Sequence, residues 1–446
     1  MKTDLSSAFF SSDGDKETLT SRVTLLDEQA DAAIHEKNNL LAFIKANLSD
    51  SLGFKVGYWI QGSFKNHTVI KPVRRGDEFD VDVGLYLFTD AEAQGIKAEN
   101  AKDALNHVLD IYCQSHDYAT LEKPKPNCER VSFTKGFHID LPLYYITDDT
   151  KRCRLATESN GWIDSDPKSL QSWFDLQIKH LSGIEKARLR RVIKTLKTWV
   201  CLKRIKLPSI AVSVFVASKF TKYATDEDAV WSIASQLVNH LLNGGAIESP
   251  LNNDDLIDAD TEELDKLRSE CSNFRYVLQE LESSDSVVTS HQLWSEPLEH
   301  TFPPLHTLDI DNKKINLPAL TSPPQLSVKS SNGTPEKITN SVAAYRGEDL
   351  HFKVCNEADY PKDSEVVWMV RNTDKDASLE NDLGHYRKFK VSEVVSEGCE
   401  YHGKHFMECT VMHSGRVLGV SSVEVNIRSV KRPERNPPKR RYGPRR

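Results

Sequence analysis

No apolar run in this chain approaches the length needed to cross a bilayer; IAVSVFVA at 210–217 is the longest candidate. The amino-terminal MKTDLSSAFF has no basic segment followed by an apolar core and a cleavage site, so no secretory leader is expected. CxxC pairs are missing too. The eight cysteines are scattered, which speaks against a zinc site or a disulfide framework and for reduced, partly buried thiols. Positive net charge is also lacking: at −7, the bulk of the chain is not a nucleic-acid surface by charge alone. These absences together predict a soluble, cytoplasmic protein. With 446 residues, 39% of them hydrophobic, the chain is long enough for two or three domains, each with its own core.

What is present is concentrated between Gln61 and Leu87, in QGSFKNHTVIKPVRRGDEFDVDVGLYL. Gly62-Ser63 ends an apolar run that begins near Val56 and reads as a strand entering a tight turn. Asp80-Val81-Asp82 lies in a second strand, where side chains alternate, so the two carboxylates project from one face. Like charges held this close repel, and a divalent cation between them is the usual remedy. Asp140, in the apolar strand HIDLPLYY, adds a ligand and completes a site for two Mg²⁺ ions, with Mn²⁺ able to substitute. Taken singly, Gly-Ser is a turn and Asp-x-Asp an exposed strand face. Asp is nevertheless depleted from strands, and the three features in this order form a constellation that chance seldom supplies.

Farther along, Leu189, Val192, Ile193, Leu196 and Val200 recur at helical spacing between 184 and 205, interleaved with basic residues. Lys194 and Lys197 are three apart and share a helix face, which either aims both at one phosphate group or is simply solvated.

The Gly-Ser, Asp-x-Asp and later Asp resemble the signature of the DNA polymerase β-like nucleotidyltransferases. The closer resemblance is to the bacterial cGAS/DncV-like nucleotidyltransferases, also called CD-NTases or SMODS synthases, through Thr68, Ile70, Lys71, Pro72, Glu78 and Phe79. It continues at RLRRVIKTLKTWV (188–200), LPSIAVSVFVASKF (207–220) and IESPLNNDDL (247–256). The resemblance implies that Gly62 and Ser63 contact the donor triphosphate and that Asp80 and Asp82 hold both metals. Asp140 would hold the catalytic metal and help activate the acceptor hydroxyl, while Lys194, Lys197 and Ser209 meet donor phosphates. The sequence departs from many relatives at Ile210, where they carry an aromatic residue that stacks on the donor base.

The fold class expected is α+β: a two-lobed polymerase β-like nucleotidyltransferase, with a mixed sheet plus a helical lobe, followed by a small β-sandwich. Residues 1–165 make the catalytic lobe, including one long helix over 20–48, and 166–320 the helical lobe that closes the nucleotide cleft. The acidic tract at 252–270 reads as the start of a surface helix. A Ser/Pro-rich linker follows at 321–342. Strands expected at 350–354, 365–370, 388–394, 405–412 and 423–428 place the sandwich at 343–429. It resembles the AGS-C sensor domain, which implies ligand sensing, and His402, His405 and His413 read as structural or surface residues. The tail at 430–446, with eight Lys or Arg from Lys431 onward, reads as disordered, either solubilising or docking a regulatory protein or an anionic surface.

The activity implied is synthesis of a cyclic di- or trinucleotide second messenger from ATP, with GTP or pyrimidine NTPs, in bacterial anti-phage defence, where the product activates a separate effector. Two other readings use the same residues. One is a template-free polymerase or a transferase that nucleotidylates RNA or protein; the other is an inactive sensing scaffold, which the presence of all three carboxylates opposes.

Overall fold

The computed structural model describes residues 4–14, 16–147, 152–305, 323–332, 335–373, 375–413 and 416–429. The chain divides into two compact units, Met1–Asn316 with Leu379–Asn381, and Leu317–Ser378 with Asp382–Arg446.

The first unit carries a mixed sheet on which the carboxylates stand. Phe79–Phe88 is its axis, with Val56–Ile60 antiparallel to it, and Phe137–Leu141 and Leu143–Ile146 both parallel to it. Pro142, which cannot donate to a ladder, divides the single strand expected at HIDLPLYY into these two. Glu129–Phe133 and Ala119–Leu121 extend the sheet from one of them, Cys153–Ala156 and Trp162–Asp164 from the other. Val81, Val83, Leu85 and Leu87 face a core shared with Leu40, Leu41, Ile44, Leu105 and Leu109 of the helices Asp27–Leu52 and Ala98–Gln114. The opposite face, carrying Asp80 and Asp82, is thereby left for the cleft.

The helix expected over 20–48 is broken. Leu19–Val23 forms one short helix and Asp27–Leu52 the long one. The cause is competition for backbone groups: the Val23 carbonyl accepts from the distant Lys71 N, and the Leu26 N–H donates to Gln29 Oε1 to start the second helix.

The helical part has its own core. Its central helix, Gly183–Lys203, starts at a reciprocal Ser182/Glu185 capping box and buries Leu189, Val192, Ile193, Leu196, Trp199 and Leu202. The helix expected from the acidic tract begins within it, at Thr261, capped by Asp260. A strap at 66–74 ties sheet and helices together. Arg190 Nε donates to the Asn66 carbonyl at 3.0 Å, and Arg74 Nη1 to that of Cys201 at 2.9 Å. His300 Nε2 lies 2.9 Å from the Val73 carbonyl.

The second unit is a sandwich. One sheet orders Lys337–Ile338, Leu326–Ser330, Asp349–Val354 and Val395–Gly398; the other orders Ser341–Tyr345, Arg416–Arg428, Gly403–His413, Glu365–Asn372 and Gly384–Lys390. Alternate residues from both, among them Val328, Phe352, Trp368, Cys409, Val411 and Val425, fill the core between them. Two expectations are corrected. Leu326–Ser330 and Lys337–Ile338, read as linker, are sheet strands, since Leu326 and Val328 alternate with polar residues and find the Asp349–Val354 edge. The strand expected at 388–394 instead runs Gly384–Lys390, and Val395–Gly398 is a separate strand in the other sheet.

His405 is buried, its Nε2 3.1 Å from the Tyr401 carbonyl, whereas His402 is exposed; both match the structural and surface roles expected. The basic tail at 430–446 and the first part of the linker lie outside the described residues. Among the described residues no helix is long and apolar enough to cross a membrane, and the eight cysteines are free thiols.

Candidate active site

Strand register assembles the site. In the parallel ladder Asp80 lies beside His138 and Asp82 beside Asp140, and in the antiparallel ladder Arg130 lies beside Asp140 and Ser132 beside His138. Because partners across a ladder point to the same face, one register choice puts three carboxylates, an imidazole and a guanidinium together. One ligand atom each from Asp80, His138 and Asp140 lies within 4.8 Å of the others.

Gly62 closes the site from the turn after Val56–Ile60. It opens a one-turn helix, Gly62–Lys65, with φ at 64°, where L side chains are strained. A Cβ there would stand 2.1 Å from Asp82 Oδ2. The backbone therefore approaches the carboxylate as closely as only glycine permits.

The charges are compensated unevenly. Arg130 grips Asp140 with both arms of its fork, Nε to Oδ1 at 2.5 Å and Nη2 to Oδ2 at 2.7 Å, and reaches Asp80 Oδ1 at 3.3 Å. His138 bridges Asp80 through Nε2 and Glu78 through Nδ1, the latter at 3.0 Å. Burial alone would raise the Asp80 carboxyl, but the hydrogen bond and charge of His138, with Arg130 and Lys197, hold it below the ordinary range. Burial depresses His138, and the hydrogen bond and charge of Asp80, with Glu78, outweigh it and keep the imidazole above its usual value. Asp82 goes the other way. Burial, then the charges of Asp80 and Asp140, push it up to about 6.

A carboxylate held this high beside two others is the electrostatic complement of a cation. The oxygen donors of Asp80, Asp82 and Asp140 fit a hard divalent ion such as Mg²⁺ or Mn²⁺.

A cavity of about 900 Å³ adjoins the cluster, lined by Gly62, Ser63, Asp80, Asp82, Lys197 and Ser209. Lys197 is buried, with Nζ 3.1 Å from the Thr68 carbonyl, and burial lowers its pKa against the pull of Cys201, Asp80 and Asp82. Ser209 is exposed at the first position of the helix Ser209–Lys219, followed by Ile210, which also lines the cavity. Lys194 stands apart. It is not among the lining residues, and its Nζ donates to Thr24 Oγ1 at 3.2 Å; burial, then Lys197 and Arg191, lower its pKa to about 8. Two neighbours were not read from the sequence. His138 was discoverable, since it shares the strand face of Asp140 two residues on, whereas Arg130 depends on a ladder register that no local pattern announces.

Residues 56–144 match the family described as cyclic GMP-AMP synthase DncV-like, nucleotidyltransferase domain. Residues 299–428 match the adenylyl/guanylyl and SMODS C-terminal sensor domain. The second match begins upstream of the sandwich boundary expected at 343, in keeping with the additional strands found there. A cyclic GMP-AMP synthase of Escherichia albertii is 32% identical over 439 residues, covering 95% of this chain and 96% of that protein. A cyclic GMP-AMP synthase of Vibrio cholerae is 26% identical over 191 residues, 33% of this chain and 43% of that protein. The crystal structure of Vibrio cholerae DncV in its 3'-deoxy GTP bound form aligns with a TM-score of 0.57 at 18% identity, covering 67% of this chain and 96% of that one, a likeness of fold. With the Asp80–His138–Asp140 cluster, the cavity and a relative that spans nearly its whole length, the chain belongs to the cGAS/DncV-like nucleotidyltransferases, with a C-terminal sensor-type domain.

Proposed function

We propose that this protein is a Mg²⁺-dependent nucleotidyltransferase that joins nucleoside triphosphates into a cyclic oligonucleotide, releasing pyrophosphate. The observation that carries the reading is the convergence of Asp80, Asp82 and Asp140 on one sheet face beside Gly62-Ser63. The products of the relatives, cyclic GMP-AMP and c-di-GMP synthases by name, favour ATP and GTP as substrates and a dinucleotide ring. In the family setting the ring is a second messenger that activates a separate effector in anti-phage defence.

Asp80 and Asp82 would hold both ions and Asp140 the one beside the acceptor. Two such ions supply positive charge at the attacking hydroxyl and at the leaving phosphate oxygen. Gly62 and Ser63 orient the donor triphosphate, and Lys197, set in the cavity wall, places a cation against it. Ser209 heads an eleven-residue helix, whose free N–H groups favour phosphate. Asp140 draws the proton from the acceptor ribose hydroxyl, whose oxygen forms a bond to the donor α-phosphorus as the bond to the β-phosphate oxygen breaks. Pyrophosphate leaves, and the second transfer closes the ring.

The test is incubation with labelled ATP and GTP and Mg²⁺, followed by phosphatase. A ring has no terminal phosphate, so a phosphatase-resistant product whose mass matches a cyclic dinucleotide is expected, and EDTA should abolish it. Products that phosphatase strips completely would instead indicate linear, template-free synthesis.

A further inference from the structure

We infer that Arg130 is an internal counter-ion that keeps Asp140 out of the metal site, so that two ions load in order, the first on Asp80 and Asp82 and the second on Asp140 after Arg130 lets go. The inference rests on the two-ion reading above and adds a positioning role for a residue that reading does not use.

The three carboxylates are not equally available. Among the described residues, the Asp82 carboxylate accepts no protein hydrogen bond, and the Asp80 carboxylate accepts through Oδ1 alone, from His138 and Arg130. One oxygen of Asp80 and the carboxylate of Asp82 are therefore not tied up by a protein hydrogen-bond donor. Asp140 is different: each of its oxygens is taken by one arm of the same guanidinium, at 2.5 and 2.7 Å.

That grip is built in rather than incidental. Arg130 and Asp140 are direct partners in the antiparallel ladder between Glu129–Phe133 and Phe137–Leu141, and both side chains are largely shielded, 19% and 16% exposed. A guanidinium does not deprotonate at accessible pH, so it cannot give way by losing its charge. A divalent ion on Asp140 would meet that charge almost at contact, in surroundings that screen it poorly. Ion and guanidinium are thus alternatives at Asp140, and Arg130 must swing aside for the second ion to enter. Arg130 also lines the cavity, so phosphates arriving there compete with Asp140 for the same fork. Without them, the second position stays closed.

The test titrates Mn²⁺ alone into the full-length, nucleotide-free protein and counts free ion by electron paramagnetic resonance. The wild type should show one site, with a second weaker by roughly tenfold or more, the scale of a charge-assisted hydrogen bond. Arg130→Gln should bind two ions with similar affinity, and Asp140→Asn added to it should remove the second. An Arg130→Gln profile identical to wild type overturns the inference. Two equal sites in the wild type also overturn it, while leaving the metal reading intact; no manganese binding by any variant takes both down. If melting curves show that Arg130→Gln does not fold, Arg130→Lys carries the test. An ammonium cannot grip both oxygens, so second-site affinity should rise by roughly threefold or more, and an unchanged value overturns the idea.

Discussion

Asp82 is costly to the fold it serves. Its carboxyl is raised from an ordinary 3.8 to about 6 by burial and by the charges of Asp80 and Asp140. Between those values the folded state binds more protons than the unfolded one, so stability falls as pH rises through the window, and the cost is complete above about 6. Asp82→Asn is therefore expected to abolish synthesis and to stabilise the protein at pH 7 by about 1–2 kcal/mol. The difference in unfolding free energy between variant and wild type should be near zero below pH 4 and grow through the window; a difference independent of pH would refute this account. Lys197 answers the same field with opposite sign. If Lys197 meets a donor phosphate as proposed, Lys197→Ala should raise the KM for NTP roughly tenfold, through loss of a charge-assisted bond. Steady-state kinetics in which KM and kcat are both unchanged would reduce its role to holding the Thr68 carbonyl.

At the scale of elements, two strands and a turn decide whether there is a site. The parallel register that sets Asp82 beside Asp140 also faces Val81 and Ile139 into the core, so a slip by one residue would bury the carboxylates and expose the valine. Hydrophobic burial thus fixes which face the three carboxylates share. The turn adds a steric condition at Gly62. Gly62→Ala strains a residue at φ 64° by about 1–2 kcal/mol, and its methyl would displace the Asp82 carboxylate. Synthesis is expected to fall by roughly a hundredfold, as misplacements of about 1 Å do at reacting centres, while the melting temperature moves only a few degrees. Turnover near wild type would mean that the carboxylate can retreat without cost.

At the scale of the whole molecule, Met1–Asn316 contains both the sheet core and the helical core, and all of Gly62, Ser63, Asp80, Asp82, Asp140, Lys197 and Ser209. The sensor-type unit has a core of its own. A chain ending at Asn316 is expected to melt cooperatively and to retain synthesis, because no site residue is lost. Its basal rate should rise if the sensor-type unit restrains the transferase. A lower rate would assign that unit to completing the active fold, and equal rates, with and without extract of phage-infected cells, would remove it from regulation.

The sequence by itself marked the candidate carboxylates and the strands that hold them. Asp-x-Asp alternates with valine, Asp140 stands in an apolar strand, and Gly62 ends another; period-two alternation is a local property and needs no knowledge of partners. It also marked the helix that buries Leu189 to Leu202. Where backbone groups are claimed by distant segments, local pattern failed. The break after Val23 follows from a bond to Lys71, and the strands at 326–330 and 337–338 exist because an edge was there to pair with. Lys194 and Lys197 share a helix face, yet the strap at 66–74 and the Thr24 hydroxyl give them different neighbours. Only the tertiary structure placed Arg130 on Asp140 and His138 on Asp80, because ladder register is set by burial across the whole sheet and not by any stretch of the chain alone.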